Sequence, residues 1–84
     1  MLLSVNDEQL LSRIETRPDV LGGKPVIRGT RLSAEYVMNL LAHGETPAAI
    51  IEEYDGLTED DILACLLFAH RAIEDLSFVP LSAS

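Results

Sequence analysis

Apolar positions fall into two regimes along this chain. Before residue 33 they come in pairs and short alternations broken by glycine, proline and basic residues; after it they recur at three- and four-residue spacing. In residues 1–12, Leu10, Leu11 and Ile14 follow Asn6 and Asp7, either of which can cap a short helix. Arg13-Ile14-Glu15-Thr16-Arg17 alternates polar and apolar residues, the period of a strand exposed on one face, until Pro18 and Asp19 break it. Val26-Ile27 has the β-branched character of a second short strand. Gly22-Gly23 before it and Gly29 after it suit tight turns with positive φ. Residues 13–32 therefore read as a small β-hairpin or arm.

From Ser33 onward the spacing predicts three helices. The first covers 33–43, with Ser33 as cap, Glu35 at the positive end, Gly44 as the stop, and Val37, Leu40 and Leu41 inward. The second covers 47–54: Thr46 caps it, Pro47 takes the first position where a missing N–H is harmless, and Ile50, Ile51 and Tyr54 share a face. The third covers 59–75, with Thr58 as cap and Asp61 three residues later, a capping box with Asp in place of Glu. Ile62, Cys65, Leu66, Ala69 and Ile73 form one stripe on it, and Leu63, Leu67 and Phe68 a second. A helix apolar on more than one side is buried on more than one side. One stripe closes a trihelical core; the other needs a partner. The segment 76–84 is an apolar tail that either folds back on the core or docks on something else. The fold class expected is mainly α, a short N-terminal hairpin followed by a three-helix helix-turn-helix bundle, in one domain spanning 1–84.

Length and composition narrow the function. An 84-residue domain has a thin core, and its single cysteine rules out an internal disulfide. Self-association is the usual remedy, so a homodimer is expected. Residues 1–5 lack the basic start of a signal peptide. The longest strictly apolar run, 62–69, is far short of the ~20 residues that cross a bilayer. Together with the lone Cys65 this predicts a cytoplasmic protein without a membrane partner. The net charge of −8 argues against blanket affinity for nucleic acid, yet it is unevenly spread. Residues 1–31 are net +1, and residues 32–84 are net −9 with Arg71 as their one base.

The sequence holds no recognisable catalytic or metal-binding pattern. Gly22-Gly23-Lys24 is followed by Pro25 and lacks the pattern of a phosphate loop. His43, Cys65 and His70 do not have zinc spacing. Glu59, Asp60 and Asp61 are consecutive on a helix, so they fan out instead of converging on one ion; capping accounts for them. Ser33 and Thr30 lack a His and Asp partner, and the chain is too small for a deep pocket. No enzyme activity, cofactor, metal or small-molecule substrate is expected.

Residues 47–54, a turn at 55–57 and the helix from 58 make a helix-turn-helix pattern. In a DNA reader the start of the second helix enters the major groove; here it carries Glu59, Asp60 and Asp61, which repel phosphate. Either this helix does not read DNA or contact comes from elsewhere, such as the basic arm: Arg13, Arg17, Lys24, Arg28, Thr30 and Arg31.

A more specific signal is the run Pro18-Asp19-Val20-Leu21-Gly22-Gly23-Lys24-Pro25-Val26-Ile27-Arg28-Gly29-Thr30-Arg31-Leu32-Ser33, followed by Leu40-Leu41-Ala42-His43-Gly44-Glu45-Thr46-Pro47, Ile50-Ile51-Glu52-Glu53-Tyr54 and Leu57-Thr58-Glu59-Asp60-Asp61-Ile62. Over roughly 13–75 it closely resembles a bacterial and archaeal family catalogued as a domain of unknown function, DUF433. The resemblance implies a homeodomain-like trihelical fold behind a β-hairpin. It also implies a VapB-like antitoxin paired with a PIN-like ribonuclease toxin in a type II toxin–antitoxin module, with autoregulation by operator DNA as a second role. On that reading Leu63, Leu67 and Phe68 meet the toxin or a second copy, Phe78, Val79 and Leu81 form a docking tail, and Arg28 or Arg31 reaches the toxin's acidic metal site. The rival readings are a stand-alone helix-turn-helix regulator using the basic arm and a purely oligomerising adaptor.

Overall fold

The computed structural model describes residues 6–76. Along the chain these form α1 (Asp7–Leu11), β1 (Ile14–Glu15), a 3₁₀ turn (Leu21–Gly23), β2 (Val26–Ile27), α2 (Ala34–Ala42), α3 (Pro47–Glu53) and α4 (Glu59–Glu74). The fold is mainly helical behind a short hairpin, as the spacing predicts.

Local chemistry sets each boundary. Asn6 caps α1 in a full capping box: the Gln9 amide donates to Asn6 Oδ1 at 2.8 Å, and the Asn6 amide donates to Gln9 Oε1 at 3.2 Å. Ser33 caps α2 by accepting from the Tyr36 amide, and Thr46 caps α3 by accepting from the Ala49 amide, with Pro47 at the first helical position. The Thr58–Asp61 box at α4 is reciprocal, as expected. Gly44 (φ 94°) and Gly56 (φ 85°) supply the left-handed turns that stop α2 and α3.

The two strands pair antiparallel, Ile14 with Ile27 and Glu15 with Val26. A further bridge joins Val26 to Ser33, and the Ile27 amide donates to the Leu32 carbonyl at 2.9 Å. The β2 segment thus has neighbours on both edges, and Val26 and Ile27 are buried. Between Ile27 and Thr30 the chain reverses through a four-residue turn that needs Gly29 at φ 80°. The Thr30 hydroxyl locks this turn, donating to the Ile27 carbonyl at 2.8 Å and accepting from the Leu32 amide at 3.0 Å.

The core joins Ile27 of the hairpin to Ala34 and Val37 of α2, Ile50 of α3, Leu57 of the α3–α4 turn, and Ile62 and Cys65 of α4. Helix α4 is the common wall, packing on α1, β1, α2 and α3. That position corrects the stripes expected on it. Leu66 and Ile73, grouped with the core in the sequence pattern, are 41% and 65% exposed, whereas Ala64 is fully buried. Phe68, assigned to the partner-facing stripe, packs against the core instead. The reason is geometric. Neighbours approach α4 from both flanks, so its buried arc centres on Asp61, Ala64 and Cys65, where small side chains allow close contact. The helix also outlasts its neighbours: from His70 to Leu76 every residue is exposed.

Truncation should separate the two sides of α4. Ile62→Ala is expected to cost about 2–4 kcal/mol by leaving a core cavity, and Leu66→Ala under about 1 kcal/mol. Urea titrations with equal m-values would check this, and equal losses at both positions would contradict the assigned face.

Candidate functional site

Two surfaces remain after the fold is assembled, a basic turn and an apolar stripe. Of the basic arm proposed from sequence, three cations are already engaged. Arg13 Nη1 donates to Asp61 Oδ1 at 3.1 Å, and its Nη2 lies 3.6 Å from Asp60. Arg17 Nη2 donates to the Thr30 carbonyl at 3.2 Å, with Nε 3.3 Å from Glu15. Lys24 Nζ donates to Glu35 at 3.0 Å. Thr30 spends its hydroxyl on the turn. Arg28 and Arg31, both exposed, have no side-chain hydrogen bond or ion pair among the described residues. Both stand on the rigid Gly29 turn, and Arg28 shares with Gln9, Ser12 and Arg13 the wall of a shallow recess of about 370 Å³. Charge along the sequence does not make this distinction, because Asp61, which engages Arg13, lies 48 positions away.

The start of α4 remains unsuited to phosphate. Glu59, Asp60 and Asp61 all sit in its first turn, and Arg13 offsets the latter two. The α3–turn–α4 unit keeps the outline of a helix-turn-helix with an acidic leading end.

The apolar surface is the outer face of α4. Leu63 (44% exposed), Leu66 and Ile73 are uncovered, Leu67 is half-buried beside them, and Leu76 (69% exposed) continues the line past the helix end. Spacings of three and four residues put 63, 66, 67, 70 and 73 on one side of the helix. Leu63 and Leu67 thus lie where the sequence places a contact surface; Leu66 and Ile73 join them, and Phe68 turns inward. Phe78, Val79 and Leu81 lie outside the described residues.

Other chemistry is sparse. Tyr36 and Tyr54 meet edge to face with hydroxyls 2.9 Å apart. That hydrogen bond, with some burial, pushes the Tyr54 phenol up to about 12. Tyr54, Leu40 and Ile50 floor an open groove of about 480 Å³ rimmed by Glu45, Glu52 and Glu53, which places no nucleophile beside a base. His43 ends α2 with Nδ1 2.8 Å from the Asn39 carbonyl, and exposed His70 lies 3.9 Å from Glu74. Burial pushes the Cys65 thiol up to about 12, with the Asp61 carboxylate adding to the effect. Among the described residues no group of three or more His, Cys, Asp or Glu could hold a metal ion, and no helix is long and apolar enough to cross a membrane.

Comparison with known proteins gives one consistent result. The model of a family described as "Protein of unknown function (DUF433)" matches residues 14–69. The crystal structure of a DUF433 member protein from Anabaena variabilis superposes with a TM-score of 0.71 at 27% identity, covering 80% of this chain. This chain spans 66% of the length of that one. No curated protein matches the chain.

The engaged and unengaged arginines should respond differently. Arg13→Ala is expected to lower stability by about 1–2 kcal/mol, because it strips a buried carboxylate of a charged donor, and Arg28→Ala to leave the melting temperature unchanged. Against duplex DNA, the plot of log K against log[salt] should be no steeper than about −2 per chain, two phosphates' worth; a slope near −4 would mean that the paired cations also take part. Cys65 should resist thiol reagents at pH 8 in the folded protein and react at once in denaturant; rapid native labelling would contradict its burial.

Proposed function

The chain belongs to the DUF433 family, whose function is not established, and from that membership and the surfaces above we propose that it is the antitoxin of a type II toxin–antitoxin module. It acts in the cytoplasm, without catalysis, by binding and neutralising a PIN-like ribonuclease toxin. The observation that carries this reading is the uncovered apolar face of α4. Among the described residues Leu63, Leu66 and Ile73 stand exposed side by side on a domain whose core is small, a surface suited to burial against another molecule. The net charge of −8 supports the same reading, since a protein that binds RNA carries cationic surface and an acidic partner is drawn to it.

Contact with operator DNA is a secondary role on this proposal and falls to Arg28 and Arg31. A stand-alone regulator is the weaker alternative, because two cations per chain must hold phosphate against an acidic helix end.

Co-expression with the product of the adjacent reading frame should give a complex that survives gel filtration and should restore growth of cells producing that product alone. Absence of both complex and rescue would end the proposal.

A further inference from the structure

Resting on the antitoxin reading, we infer that the α4 stripe docks into a partner groove with an apolar floor and a lysine- or arginine-rich rim, and that a second copy of this chain does not fill that place. The stripe runs through Leu63, Leu66, Leu67 and Ile73, the spacing by which a helix lays one face into a groove. Its margins are acidic. Glu59 lies at its leading end and Glu74 at its trailing end, the latter beside His70. The one arginine of this helix, Arg71, is turned away and held by Asp7 of α1 at 3.0 Å. Among the described residues the face therefore offers apolar surface, carboxylates and the His70 imidazole, with no lysine or arginine directed into it.

A second copy would meet this face with the same signs. Parallel pairing sets each acid against itself, and antiparallel pairing about Leu66 and Leu67 brings Glu59 opposite Glu74. Neither of these pairings sets a lysine or arginine against the acids, and both chains carry −8 overall. Like charges held opposite one another suppress a wrong partner as effectively as new contacts reward a right one. A basic-rimmed groove satisfies both requirements at once: it covers the leucines and pairs the carboxylates. Leu63 and Leu66 are the anchors and Glu59 and Glu74 the guides.

The probe is the purified product of the adjacent reading frame, titrated calorimetrically with the full chain at low and moderate salt. Leu66→Glu, with Leu63→Ser/Leu66→Ser as the milder pair, should weaken binding at least about tenfold without lowering the melting temperature. Glu59→Lys/Glu74→Lys should weaken it at low salt and flatten its salt dependence. Wild-type binding that the leucine variants leave intact would overturn the inference while the antitoxin reading stands. Tighter binding by the lysine variant would overturn the assigned rim. No binding by the wild type would remove the antitoxin reading and this inference with it. For the chain alone, sedimentation should show a species that Leu66→Glu does not alter; a dimer dissolved by that substitution would assign the face to a second copy and overturn the inference.

Discussion

Asp61 is a carboxylate buried to 7% exposure at the start of the longest helix, and both its oxygens are occupied. Oδ2 accepts from the Thr58 amide at 3.0 Å and the Thr58 hydroxyl at 3.1 Å, while Oδ1 accepts from Arg13. A buried charge is tolerated only when its hydrogen-bonding capacity is filled. One side chain thus fixes where α4 begins and holds the N-terminal hairpin against it. The hairpin then delivers Ile27 to the core and sets the Gly29 turn with its two exposed arginines. Without that contact the arm would keep its anchors at Ile27 and the Val26–Ser33 bridge but lose its charged tie to α4.

The local grammar of the fold was legible in the sequence. Ser33, Thr46 and Thr58 were readable as caps, Asn6 as one of two candidates with Asp7, Pro47 as a first helical residue, Gly44 as a stop, and Val26-Ile27 as a strand, because each depends on neighbours within about four residues. Which side of α4 faces inward was not legible. The pattern of 59–75 is apolar over so much of its circumference that several stripes fit it equally well, and only the approach of α1 and β1 from one flank selects Ala64 and Cys65 over Leu66. The same holds for the basic arm. Composition places five cations in the first 31 residues but cannot say that Arg13, Arg17 and Lys24 have carboxylate partners at home. The sequence thus marks the segments that carry these surfaces but not which of their side chains the fold leaves exposed and unpaired.

The two surfaces differ in what they ask of a partner. The Gly29 turn is small and polar, braced by Thr30, and holds Arg28 and Arg31, which have no acidic partner among the described residues; it can meet anionic groups but gives little area. The α4 face is larger and apolar, with acidic ends, and can supply area and sign together. Affinity that rests on a few buried apolar anchors with charges at the rim is the usual division of labour in protein recognition.

Because α4 continues past its supporting neighbours, its outer face is not uniform in rigidity. Leu63 and Leu66 ride on turns whose opposite sides are clamped by the core, so they present a ridge already in its bound shape. Ile73 and Leu76 ride on turns whose described residues are all exposed, with the Arg71–Asp7 ion pair tying this end to α1. A partner that met the firm ridge first would incur little backbone ordering there and more at the exposed far end. The near half would then govern whether a partner is accepted, and the far half how long it stays.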